Sequence, residues 1–316
     1  MDPSRWDPEM LAFQKQADAF AAKHPPVKLE PPFAVPRALN DMLGIRSASG
    51  GPIPAETTDR WILAEGRRVF CRVYRPRTDA PTPVVIYFHG GGWVWSSVDT
   101  HDRIARELAA AAQVSLVSVD YSLSPEAKFP RALNECVETI RYIARHGADW
   151  GLDTSQIFLC GDSAGGNLSL AAALQLRDQG GPKLQGLVLA YPVCDSNFET
   201  ASYLEFATGY GLTRDRMATY WDLYVERPHD LSHPLAAPLR ADLGGLPPVL
   251  VILAELDVLR SEGEALAAKL KQSGVDTEVE VFGGVVHGFL RASGTVAKAR
   301  DAFRRAGAWV QQVMAR

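Results

Sequence analysis

The 316-residue chain predicts an α/β protein built on a mainly parallel central sheet flanked by helices. Three observations carry this. Six short apolar runs rich in β-branched residues recur at 84–88, 114–119, 156–160, 187–191, 249–254 and 277–282. Helical stretches such as 101–112 and 131–145 lie between them. Short runs of this kind, separated by helices, fit strands covered on both faces, as in a mainly parallel sheet between helix layers. The composition agrees, with 47% hydrophobic and 22% charged residues, enough apolar side chain for a large core.

Taken in order, the chain opens with a helical pattern over 7–23. Asp7 can cap it, Pro8 suits its first position, and Met10, Phe13, Ala17 and Phe20 share one face. The proline- and glycine-rich stretch 25–55 reads as an irregular connection. Residues 58–66 and 67–76 read as antiparallel strands joined at Glu65 and Gly66, and the strand–helix rhythm follows. It breaks between 195 and 238, where no strand-like run occurs. There Thr213 can cap a helix carrying Met217, Tyr220, Trp221 and Tyr224 on one face. Such a stripe predicts packing before substrate contact for any single member. The expected organisation is an N-terminal helical lid part over 1–55, a catalytic α/β domain over 56–194 and 239–316, and a lid insertion over 195–238.

Bulk chemistry narrows the function. The net charge is -4 and the pI about 6.0, so no basic field attracts phosphates and no nucleic-acid partner is expected. Cys71, Cys136, Cys160 and Cys194 are scattered without a Cys-x-x-Cys pair, which predicts reduced, buried thiols and no metal cage. No run approaches ~18 apolar residues and the amino terminus lacks a signal-peptide pattern. The expectation is a cytoplasmic protein without a membrane partner.

The chemistry-bearing motif is Gly161-Asp162-Ser163-Ala164-Gly165-Gly166, a G-x-S-x-G between the run 156–160 and the helical pattern that follows. A nucleophilic serine on a tight strand-to-helix turn needs small neighbours, and the helix start aims N–H groups at developing negative charge. A second motif, His89-Gly90-Gly91-Gly92-Trp93, follows the run 84–88. Acyl transfer passes through an oxyanion that needs backbone donors at about 2.7–3.1 Å. Gly90, Gly91 and Ala164 are the candidates. A phosphate loop would end in Gly-Lys-Ser/Thr, which is absent. His89 reads as a residue orienting this loop. Trp93 is a candidate for lining the substrate pocket, with packing beneath the lid as the alternative.

A serine hydroxyl needs a base and an acid to hold the base's tautomer. Of seven histidines, His287 lies just past the last predicted strand, on a glycine-flanked loop. Asp257, after the run 249–254, is the favoured acid over Glu255, with Asp195 third, because the ends of the last two strands are neighbours. His229 and His233 fall in the predicted lid.

On these residues the chain resembles the bacterial hormone-sensitive-lipase-like (family IV) esterases of the α/β-hydrolase superfamily, in the branch with GDSAGG around the nucleophile. HGGGW, GDSAGGNL, Asp99-Thr100-His101-Asp102, the stretch 120–130, Leu246-Pro247-Pro248 and the HGF at 287–289 carry the likeness over roughly 60–315. It implies the α/β-hydrolase fold and a lid made from the N-terminus and an insertion after the sixth strand. It also implies cofactor-free hydrolysis of short to medium acyl esters. The chain departs from the family pattern at Ser122, Val258 and Ser261, where arginine, proline and an acidic residue are usual. A small-molecule ester is the expected substrate. An amidase or deacetylase would use the same residues, and a non-catalytic binding protein of this fold would lack His287. The last strand should lie at a sheet edge, which makes a homodimer a further expectation.

Overall fold

The computed structural model describes residues 2–24 and 28–316. Its centre is an eight-stranded sheet in the order β1-β2-β4-β3-β5-β6-β7-β8. The strands are β1 (Glu56–Ala64), β2 (Arg67–Arg75), β3 (Thr82–Phe88), β4 (Ser115–Asp120), β5 (Leu152–Asp162), β6 (Gly186–Ala190), β7 (Val249–Leu256) and β8 (Thr277–Val286). β2 runs antiparallel to both its neighbours, and every pair from β4 to β8 is parallel. The reason is visible in burial. Residues 157–162 and 186–190 are buried without alternation, whereas β1 buries only Ile62 and Ala64.

The helices are α1 (Pro8–Ala21), α2 (Ala34–Ala48), α3 (Asp102–Ala112), α4 (Arg131–His146), α5 (Ala164–Asp178), α6 (Ala201–Glu205), α7 (Arg214–Tyr224), α8 (Arg260–Gln272) and α9 (Ala297–Met314). α3 turns one stripe inward, Ile104, Ala105, Leu108, Ala109 and Ala112, against α9. α5 is buried almost all round, which explains its lack of a polar face.

Asp7 caps α1 as its position predicts, its carboxylate accepting from the N–H groups of Glu9 and Met10, with Pro8 in the first turn. The stretch 25–55 corrects its reading as an irregular connection: residues 34–48 form α2. Pro36 sits in the first turn, where no N–H partner is required, so proline does not exclude a helix there. Residues 25–27 of that stretch lie outside the described residues. No helix of the described residues is long and apolar enough to cross a membrane.

The N-terminal segment and the insertion meet. Trp6 stacks on Tyr210 at 5.8 Å, Asp2 N–H donates to the Tyr210 hydroxyl at 3.2 Å, and Arg5 pairs with Glu205 at 2.6 Å. Within the insertion, the Thr213 hydroxyl accepts from Arg216 N–H and starts α7. Met217, Trp221 and Tyr224 of α7 are buried. The Lys128 ammonium donates to the carbonyls of Asp222 and Val225, placing a cation where α7 exposes its unpaired carbonyls.

Candidate active site

Four chain segments leave the carboxyl ends of parallel strands on the same side of the sheet. His89 and the glycine run follow β3, Ser163 follows β5, Asp257 follows β7 and His287 follows β8. This is the edge at which open α/β sheets hold their ligands.

Ser163 stands at φ 55, ψ -121, a conformation costly for a residue with a side chain. The turn closes because its flanks are glycine: a Cβ at Gly165 would collide with the carbonyl oxygen of Phe88, and one at Gly161 with that of Gly165. The Ser163 backbone is fixed from both sides, its N–H donating to Ala190 (2.9 Å) and its carbonyl accepting from Val193 (3.2 Å).

The sequence-predicted serine, histidine and acid come together. His287 Nε2 lies 2.9 Å from Ser163 Oγ, and Nδ1 lies 2.7 Å from Asp257 Oδ2. A carboxylate facing Nδ1 holds the proton there and leaves Nε2 to accept from the serine hydroxyl. Asp257 is 1% exposed and its Oδ1 accepts the Leu259 N–H at 3.0 Å. Tyr191 packs its ring against the imidazole at 4.8 Å. Glu255 instead takes the Gly284 N–H on Oε2 at 2.7 Å, and Asp195 pairs with Arg240 at 2.6 Å. Neither reaches the histidine.

The glycine loop corrects one expectation. The Gly90 N–H donates to Asp162 Oδ1 at 2.8 Å, so it is engaged with the protein and is no free donor. Among the described residues no acceptor meets the N–H groups of Gly91, Gly92 or Ala164. Gly92, the third glycine of the same run, was not among the sequence candidates, because nothing in the sequence marks which of three adjacent glycines keeps its N–H free of the protein. Gly91 has φ 123, open only to glycine, and a Cβ there would collide with the Trp95 carbonyl.

Asp162 was also unassigned, although it sits inside the nucleophile motif. It is buried and accepts from Gly90 N–H and, at 2.5 Å, from the Tyr87 hydroxyl. Burial alone would push its carboxyl up, but His101 nearby and the Tyr87 bond hold it well below the usual range. His89 is buried, bonded through Nδ1 to the Gly90 carbonyl at 2.8 Å and stacked on Tyr121 at 4.4 Å. Burial, with His101 beside it, depresses its pKa to about 3. It faces the loop's backbone rather than the serine.

Trp93 does not line an open pocket. It is fully buried, stacked on Tyr224 at 4.0 Å and edge-on to Trp221 at 5.1 Å, so of its two readings the packing beneath α7 is the one realised. A polar cleft of about 990 Å³ opens nearby, with Arg37, Asp41, Arg67, Ser96 and Tyr121 among its walls, but neither Trp93 nor Ser163 borders it. Ser163 itself is 6% exposed.

Ser122 is tied into a buried polar cluster. Its hydroxyl and N–H both donate to the buried Glu135 carboxylate, at 2.7 and 2.8 Å. Arg131 approaches the same carboxylate at 3.1 Å and Arg67, from β2, at 3.6 Å.

A sheet that presents a strained serine at one strand end, with an imidazole and a carboxylate in hydrogen-bonded series behind it, defines a class of protein, the α/β hydrolases. The chain belongs to the α/β-hydrolase fold family, in its hormone-sensitive-lipase-like branch, and the family model matches residues 85–291. It is 38% identical over 239 residues to carboxylesterase NlhH of Mycobacterium tuberculosis, covering 74% of this chain and 75% of that one. Among solved structures it resembles a thermostable esterase from Pseudomonas putida, with TM-score 0.90 and 34% identity over 97% of both chains. An ester hydrolase from the Lake Arreo metagenome, complexed with a derivative of bipyridine phosphonate, gives TM-score 0.92 and 31% identity, covering 98% of this chain and all of that one.

Proposed function

We propose that this protein is a serine carboxylesterase that hydrolyses small carboxylic esters of short to medium acyl chain through an acyl-enzyme. The observation that carries the reading is the series Ser163 Oγ, His287 Nε2, His287 Nδ1 and Asp257 Oδ2, with links of 2.9 and 2.7 Å. Ser163 attacks the ester carbonyl while His287 takes its proton, and Asp257 stabilises the imidazolium formed. The oxyanion is received by the N–H groups of Gly91, Gly92 and Ala164, the last at the start of α5, where the helix dipole favours negative charge. His287 then returns the proton to the leaving alcohol, and water, activated by the same imidazole, releases the acid. The chemistry uses only side chains and backbone of this chain. The esterase names of the similar proteins support the same substrate class.

The segments 1–55 and 195–238 act as the lid in this reading, since they touch each other through Arg5 and Glu205 and through Trp6 and Tyr210. Four buried free cysteines support a reducing, cytoplasmic setting. β8 is an edge strand that exposes Val279 and Val281, which supports pairing with a second copy through that edge. A solution mass of one chain at micromolar concentration would remove the dimer.

The test of function is hydrolysis of p-nitrophenyl esters from acetate to dodecanoate by the wild type and by Ser163→Ala. Turnover favouring the shorter chains and lost in the variant is expected. Folded wild-type protein inert to every chain length would overturn the esterase reading.

A further inference from the structure

α6 is a five-residue helix of the insertion, and its contacts with the acid loop differ from ordinary apolar packing. Ser202, in its first turn, is 1% exposed. Its hydroxyl donates to the Val258 carbonyl at 2.6 Å and accepts the Ser261 N–H at 3.0 Å. The Ser261 hydroxyl in turn accepts the Ser202 N–H at 3.0 Å. Two serines on different elements thus satisfy each other's N–H groups, and the hydroxyl of one is left to orient a carbonyl.

That carbonyl belongs to the peptide unit joining Val258 to Leu259, and the N–H of the same unit is the donor to Asp257 Oδ1 at 3.0 Å. A peptide is planar, so fixing its carbonyl fixes the direction of its N–H. Each bond along such a chain also polarises the next. The other oxygen of Asp257 receives His287 Nδ1–H. A second tie reaches the neighbouring strand ends: Arg5 pairs with Glu205 of α6 at 2.6 Å and stands 4.0 Å from Glu255, whose Oε2 holds the Gly284 N–H ahead of His287.

We infer that Ser202 is a positioning residue for Asp257, acting through the Val258–Leu259 peptide, and that α6 is the strut by which the insertion sets the aim of the acid. The inference rests on the proposed role of Asp257. Among the described residues, Tyr191, Tyr203 and Glu262 also face the Asp257–His287 pair. None of them bonds to the Ser202 hydroxyl.

The experiment compares wild type, Ser202→Ala, Ser261→Ala and Asp257→Asn on p-nitrophenyl butyrate, with active sites counted by the burst from a p-nitrophenyl phosphonate. For Ser202→Ala, kcat per active site should fall about threefold to thirtyfold with KM held within about twofold. The acid limb of its kcat/KM profile should move to lower pH, because a poorly aimed carboxylate stabilises the imidazolium less. Ser261→Ala keeps the bond from Ser202 to Val258 and should lower thermal stability with a smaller fall in kcat than Ser202→Ala. If Ser202→Ala does not fold, Ser202→Cys retains the volume with a weaker donor and is read by the same criteria. Normal kcat and an unmoved acid limb in the Ser202 variant, with only Tm lowered, would reduce Ser202 to a staple and overturn the inference. Full activity in Asp257→Asn would instead overturn the triad reading itself.

Discussion

The carboxylate of Asp162 holds the backbone N–H of Gly90 at 2.8 Å, so the residue before the nucleophile also fixes the start of the loop that faces it. One buried charge thereby ties the nucleophile turn to the loop proposed to hold the oxyanion. In Asp162→Asn the side chain keeps its shape, but the oxygen that accepts from both the Gly90 N–H and the Tyr87 hydroxyl loses the charge that strengthens those bonds. The expected outcome is a fall in kcat of about tenfold to a hundredfold at little changed KM, since the loss bears on the oxyanion more than on the bound ester. Steady-state kinetics on one short ester decides it. Unchanged kcat would mean that the loop holds its place without the carboxylate.

Gly91 carries the sharper demand on sequence. Its φ of 123 and the Trp95 carbonyl beside it leave no place for a methyl group. Gly91→Ala should retain native far-UV circular dichroism yet lose about 10²–10³ in kcat, the order expected when an oxyanion donor is displaced. A variant that keeps more than about a third of wild-type kcat would remove Gly91 from the donor set.

These two glycines also mark where the sequence was legible and where it was not. Burial on both faces leaves an unbroken apolar run in the sequence, which located the inner strands such as β3, β5 and β7, whereas β1 and β2 showed as an antiparallel pair about Glu65 and Gly66. The serine, histidine and acid followed from which strand end each residue terminates. What periodicity cannot supply is orientation within a short loop. Gly90 and Gly92 are chemically identical in sequence, and only the Asp162 bond separates an engaged N–H from a free one. For α2 the reason differs: Pro36 lies in the first turn, and a count of prolines does not say which position in a helix each will take. Ser202 left no sequence signal at all, because its partners lie 56 and 59 positions away.

The burial of Trp93 separates packing from substrate recognition. With its ring stacked on Tyr224 and set edge-on to Trp221, Trp93→Ala opens a cavity beneath α7. The expected cost is about 3–5 kcal/mol in urea unfolding. Because the ring faces α7, the relative rates on acetate, butyrate and octanoate esters should stay in their wild-type ratios once corrected for the folded fraction. A selective gain on longer chains would instead place Trp93 on the acyl pocket wall.

The buried histidines set the acid side of stability. His89 is depressed to about 3 from an ordinary value near 6.5, by burial first and by the neighbouring His101 second. His101 is lowered by burial and by Arg291. A group depressed in the folded state binds its proton first in the unfolded chain, so its contribution is fully present above about pH 6.5 and is lost as pH falls toward the folded value. For His89 the loss amounts to about 2 kcal/mol between pH 6.5 and 5, at about 1.36 kcal/mol per unit. Glu262 has the opposite sign. Burial pushes its carboxyl well above the ordinary value, so its contribution is present below about pH 4.5 and is lost as pH rises through its folded value. The whole-protein slope is therefore a difference of terms, and the variant isolates one of them. Urea unfolding of wild type and His89→Gln at pH 7.5 and 5.0 should show the variant less stable at pH 7.5. Its further loss on acidification should be smaller than the wild type's by about 2 kcal/mol. Parallel losses in the two proteins would show that His89 takes up its proton in the folded state, and would remove it as a source of acid lability.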